Sequence, residues 1–270
     1  MKRIFFLLLA TAFAVSSRPA RAADATAELK ALVGKIRDDM AAGRTNAADL
    51  ADDLKQFDRL LAEHQGEKTD AAANLLYMKA MLYDEGLHDS AKAAELIQQL
   101  KADFAGTDFV DELERREAAE AAAAKIQASL AVGTAFPGFT IKNLAGQSLS
   151  LTNFAGKVVL IDFWATSSRS CLAELSYVLA AYEKYHARGF EIIGISLDPD
   201  PAKLAEFVRE MKMPWPEFCD GHGWQGQLAV KYGVEKIPAT YLLDGHGIIL
   251  AKDLHGDALS TAVARALGIH

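Results

Sequence analysis

The sequence predicts a mixed α/β domain, a sheet flanked by helices, preceded by an all-α domain. Three observations carry this. Helix start and stop residues recur along residues 25–130, which contain no proline. Near Gly133 the hydrophobic period changes from helical to strand-like. Two continuous apolar runs, 157–164 and 190–197, then read as central strands buried on both faces.

The first residues stand apart from that fold. Lys2 and Arg3 precede an apolar run from Ile4 to about Val15, and Ala20-Arg21-Ala22 closes the stretch. This is the pattern of a secretory signal peptide cut after Ala22. The run is too short for a comfortable span, which takes about 20 apolar residues. Nothing after Ala22 is apolar for long enough to cross a membrane, so no permanent span is expected once the leader is cut. The expected location is the periplasm or the outside of the cell. Removing the four basic residues of the leader takes the formal charge from −7 to −11. So acidic a protein is unsuited to neutralising nucleic-acid phosphates.

In the helical domain (23–130), Asn46 is placed to cap a helix running to about Glu63, and Thr69 or Asp70 the next, which stops near Gly86. Asp89 or Ser90 opens a third, with Ala94, Ile97, Leu100 and Phe104 on one face, and Asp108 opens a long Ala-rich helix to about Leu130. The pair over 70–105 has the look of one tetratricopeptide-type hairpin without the full repeat; a plain helical bundle reads it equally simply.

The α/β domain (131–270) opens with a hairpin, Thr140–Lys142 and Leu149–Leu151. The strand at 157–164 leads into a helix from Cys171 to about Arg188. A second strand, 190–197, leads into a helix from Pro201 to Met211. A short helix follows at 225–232. Strands at 239–243 and 248–251 flank the turn Asp244-Gly245-His246-Gly247, and a last helix covers 257–267.

Three segments carry a resemblance. They are Val158-Val159-Leu160-Ile161-Asp162-Phe163-Trp164-Ala165-Thr166, then Cys171-Leu172-Ala173-Glu174-Leu175, then the stretch from Tyr232 to Asp244 with Ile237-Pro238 inside it. Together they resemble the thioredoxin fold of the TlpA/ResA-like proteins, which share the AhpC/TSA redoxin domain. The resemblance covers residues 132–269 and implies thiol–disulfide oxidoreductase chemistry, with no cofactor and no metal. Partners would be thiol- or disulfide-containing envelope proteins, or small thiols.

The motif departs from that family. Where relatives carry Cys-x-x-Cys, this chain has Ser168-Arg169-Ser170-Cys171. Ser168 can still cap the helix, but a hydroxyl cannot replace the attacking thiolate of disulfide exchange. The surviving chemistry must run through Cys171, beside Arg169, whose charge would favour the thiolate. The resemblance also implies a proton-acceptor role for Asp162, an acidic helper in Glu174, and a cis bond at Ile237-Pro238. The Ile237-Pro238 loop, with Trp164, would line the substrate groove. Each also has a bland reading: a hydrogen-bonded buried acid, an exposed helical carboxylate, a proline needed only for folding, a packing indole.

Cys219, the second of two cysteines, falls on an edge strand two strands from the motif. At about 4.8 Å per strand, about 10 Å separates the strand ends, so direct pairing with Cys171 would require loop movement. It reads as a buried, inert cysteine or as a second redox thiol.

Whether the chain is an enzyme stays open at this point. One alternative is a peroxiredoxin-like thiol peroxidase (antioxidant) using Ser168-x-x-Cys171, with Cys219 resolving the sulfenic acid. The other is a non-catalytic thioredoxin-fold binding module.

Overall fold

The computed structural model describes residues 20–269, with side chains from Thr26 onward. The expected leader falls outside the described residues, apart from the backbone of 20–22. Among the described residues no helix is long and apolar enough to cross a membrane. The chain divides into two compact units at Ala118/Ala119.

The first unit is helical: α1 (Ala20–Ala41), α2 (Ala51–Glu63), α3 (Asp70–Met81), α4 (Ser90–Asp103) and the opening turns of α5 (Asp108–Ser129). Helix α3 is buried on two sides. Its Leu75 joins Leu32, Ile36 and Phe57 in one cluster, and its Ala73, Leu76 and Tyr77 meet Leu96 and Leu100 in another. The Thr69 hydroxyl caps α3 by accepting from Ala72 N, and Asp89 caps α4 by accepting from Lys92 N. Two details differ from the sequence reading. Asn46 accepts from Asp49 N within a separate turn, and α2 starts only at Ala51. The buried face of α4 is Ala93, Leu96 and Leu100; Ala94 is exposed. Both stripes share Leu100 at helical spacing, so periodicity alone could not separate them.

The second unit contains a hairpin, β1 (Thr140–Lys142) with β2 (Ser148–Ser150), and a five-stranded mixed sheet. The sheet strands are β3 (Val158–Trp164), β4 (Phe190–Ser196), β5 (Glu217–Phe218), β6 (Ala239–Leu243) and β7 (Ile249–Lys252). Their order is β5-β4-β3-β6-β7. Strands β3, β4 and β5 are parallel; β6 runs antiparallel to β3, and β7 antiparallel to β6. Four helices complete the unit: α6 (Arg169–Tyr185), α7 (Pro201–Glu210), the short α8 (Gln227–Lys231) and α9 (Asp257–Ala266).

Alternation along β3 assigns the two faces. Val159, Ile161 and Phe163 pack with Phe136, Tyr232 and Tyr241. Val158, Leu160 and Trp164 pack under α6 and α9, with Leu175, Val178, Leu259 and Val263. Asp162 shares the second face, one residue out of step with Ile161. The last turns of α5 also belong here. The Gln127 amide donates to Tyr232 O at 2.6 Å and meets the Tyr241 hydroxyl at 2.7 Å. Gly233 has a positive φ of 59°, and a Cβ there would stand 2.7 Å from Ala123 O, so only glycine allows the approach.

Candidate active site

Strand β3 ends at Trp164, and the chain turns into α6 within four residues. The turn is fastened to the end of β4. Thr166 donates to Asp198 from its backbone N at 3.0 Å and from its hydroxyl at 2.7 Å, and Ser196 Oγ donates to the same carboxylate at 2.6 Å. Ser168 is the N-cap of α6, its hydroxyl accepting from Cys171 N at 3.3 Å. The capping expected from sequence is thus present.

Cys171 lies in the first turn of α6, only 4% exposed. Burial pushes its thiol above the ordinary range, opposed by the Ser168 hydroxyl and raised further by the charges of Asp162 and Asp198. This corrects the expectation for Arg169. Its side chain is exposed, where solvent screens a charge, and desolvation of the buried sulfur decides the direction.

The cis Ile237-Pro238 bond sits beside this helix end. Ser170 Oγ donates to Ile237 O at 3.4 Å and lies 2.9 Å from Ser168 Oγ. Ile237 and Pro238 are half-buried, so the structure brings them to Ser168 and Ser170. Trp164 does not join them, and of its two readings the packing indole is the one its burial fits. Trp164 is buried among the residues under α6, its ring tilted against Phe207. Its indole N–H is committed to Glu217 at 3.0 Å. Strand alternation puts it on the Leu160 face, inside the core, where it offers no surface to a substrate.

Asp162 keeps a little exposure, but desolvation, helped by the Glu174 charge, pushes its carboxyl up to about 7. Glu174 is partly buried. It accepts from Gly256 N at 2.7 Å and lies 3.6 Å from His255 Nδ1. Its carboxylate thereby ties α6 to the start of α9 while facing Asp162 electrostatically.

Sequence reasoning missed Glu217. It is 3% exposed and accepts from the indoles of both Trp164 and Trp215, the latter at 2.7 Å. Burial pushes it up to about 8, against the pull of those two donors and with the repulsion of Asp162 and Asp198. A signal existed: Gly194 is an isolated glycine in an apolar strand, a mark of close approach by another group. A Cβ at 194 would overlap the Glu217 carboxylate. Asp198, the other missed acid, sits buried at the end of β4.

Cys219 follows β5, at the sheet edge two strands from β3. It is half-buried, and both thiols are free. Its Sγ donates to Asp198 O at 3.1 Å, and burial raises its thiol as well.

Comparison with known proteins adds to this geometry. Residues 132–252 match the AhpC/TSA family. The thiol-disulfide oxidoreductase ResA of Bacillus thuringiensis subsp. konkukian is 30% identical over 119 residues, 44% of this chain and 67% of that protein. ResA of Geobacillus thermodenitrificans matches with the same identity and coverage. Among solved structures, the thioredoxin domain of a thiol-disulfide oxidoreductase from Bacteroides vulgatus is 33% identical. It covers 52% of this chain and 99% of its own, with a TM-score of 0.48. A thiol:disulfide interchange protein from a Bacteroides species, also 33% identical, covers 52% of this chain and 92% of its own, with a TM-score of 0.47.

Proposed function

Because this chain belongs to the ResA-like thiol-disulfide oxidoreductases of the AhpC/TSA family, we propose that it exchanges disulfides in the cell envelope through Cys171 alone. The observation that carries the reading is the placement of one thiol in the first turn of α6, next to the cis Ile237-Pro238 loop and electrostatically coupled to Asp162. The envelope location rests on the leader read in residues 1–22. The partners are disulfide- or thiol-bearing envelope proteins and small thiols.

The steps follow from the residues present. Asp162 accepts the Cys171 proton. The thiolate attacks one sulfur of a partner disulfide, a new S–S bond forms, and the other sulfur leaves as a thiolate that takes up a proton. In a dithiol protein the neighbouring cysteine would then release the partner. Here Ser168 stands in that place, and a hydroxyl is too weak a nucleophile toward sulfur. A free small thiol must therefore attack the mixed disulfide, regenerating Cys171. Burial of the thiol makes the resting protein a slow nucleophile. That burial also favours a second reading, a thioredoxin-fold module that binds its partner without turnover.

Peptide mapping after incubation with glutathione disulfide separates the two. The expected result is a glutathione adduct on Cys171 that dithiothreitol removes, lost in Cys171→Ser. A Cys171 that stays free up to pH 9 while the protein remains folded would rule out exchange and leave the binding module. Ser168→Cys is expected to confer insulin reduction absent from the native chain.

A further inference from the structure

Asp162, Gly194 and Glu217 form one row across three parallel strands, since Asp162 pairs with Gly194 and Gly194 with Glu217 in register. Registered residues of parallel strands point to the same face, here the face under α6. The middle position has no side chain, and the Glu217 carboxylate fills the space above it. A carboxylate from the sheet edge thus lies one strand spacing, about 4.8 Å, from the strand that bears Asp162. Among the described residues, neither acid has a cation beside it. Glu217 is held by two indole N–H groups, and Asp162 faces Glu174.

We propose that Glu217 is a positioning residue for the chemistry of Cys171: it shares a proton with Asp162 across the gap at Gly194, so that this buried row carries one negative charge, on Asp162, when the thiol gives up its proton. The inference rests on the function proposed above and names how its base is kept ready. Two carboxylates in one apolar pocket cannot both ionise at ordinary cost. Whichever loses its proton second bears the repulsion of the first, and the Asp162 charge is among the causes that raise Glu217. At neutral pH the proton balance is simple: Cys171 Sγ–H gives its proton to Asp162, Glu217 keeps its own, and the new charge rests on sulfur. The other groups facing the row are Asp198 from the end of β4, and Cys171 and Glu174 from α6.

The two indoles bonded to Glu217 report its charge, so tryptophan fluorescence against pH reads its ionisation; exposed Trp224 adds a constant background. In Asp162→Asn the fluorescence midpoint is expected to fall by about one pH unit, because the repelling neighbour is gone. In Glu217→Gln the fluorescence step should vanish. Above pH 8 Glu217 is ionised as well and its charge opposes the thiolate, so without it the midpoint for iodoacetamide alkylation of Cys171, followed by mass spectrometry of its peptide, should drop by about half a pH unit. A fluorescence midpoint unmoved in Asp162→Asn overturns the shared proton. An alkylation profile unmoved in folded Glu217→Gln overturns its bearing on Cys171. If Glu217→Gln does not fold, the Asp162→Asn titration decides alone. Both readouts are independent of turnover, so a protein that titrates as stated but forms no mixed disulfide counts against the proposed function and not against the pair.

Discussion

Replacing Asp162 with Asn removes one buried carboxyl while keeping its size, and the consequence should depend on pH. The carboxyl titrates near 7 in the folded chain against an ordinary value of 3.8. Between those values the folded state holds a proton that the unfolded state has released. Stability is therefore full below pH 4 and falls as pH rises toward 7. A gap of about three pH units at ~1.4 kcal/mol each comes to about 4 kcal/mol. That is an upper figure, because Asp162 keeps some contact with solvent, which screens its charge. Asp162→Asn should thus match the native protein near pH 4 and exceed it by about 2–4 kcal/mol at pH 8. Urea denaturation followed by tryptophan fluorescence measures this, since all three tryptophans lie in the second unit. Two stability curves that run parallel from pH 4 to 8 would refute the assignment of a trapped proton to Asp162.

Gly194→Ala should destabilise by roughly 1–3 kcal/mol, as its Cβ meets the Glu217 carboxylate; adding Glu217→Ala should return part of that loss, and strict additivity in the cycle would contradict the contact. Ser168→Ala should cost about 1 kcal/mol through loss of the cap on α6, read from the same urea curves. Gln127→Ala leaves the Tyr241 hydroxyl and Tyr232 O without their partner and should cost about 1–3 kcal/mol; an unchanged midpoint for the second unit would show that water replaces the amide at no cost.

Much of the frame could be read from the chain itself. The runs at 158–164 and 190–196 announced strands with no polar face, and Ser168 announced a helix start whatever became of the thiol. The cis bond at Ile237-Pro238 came from resemblance, since nothing local to Ile237 distinguishes it. The rest was hidden for definite reasons. Trp164 adjoins the motif in sequence, which admits both a groove and a packing role, and alternation from Leu160 sends it inward. Arg169 stands near Cys171 in sequence, whereas the energy of a buried sulfur depends on what surrounds it in space. Glu217 escaped because a two-residue edge strand has no period, and a glutamate between Pro216 and Phe218 looks like surface. Gln127 escaped because it sits in an Ala-rich helix that reads as solvated.

The contacts of Gln127 and Ala123 bear on modularity. The match to the AhpC/TSA family begins at residue 132, whereas the second compact unit begins at Ala119. A fragment cut at the ancestral border would leave Gly233 facing an empty furrow and the Tyr241 hydroxyl turned toward water. Recombination with a different helical module would succeed only if residues 119–131 travelled with the sheet they serve. The family match and the compact unit therefore start at different places on this chain, about a dozen residues apart.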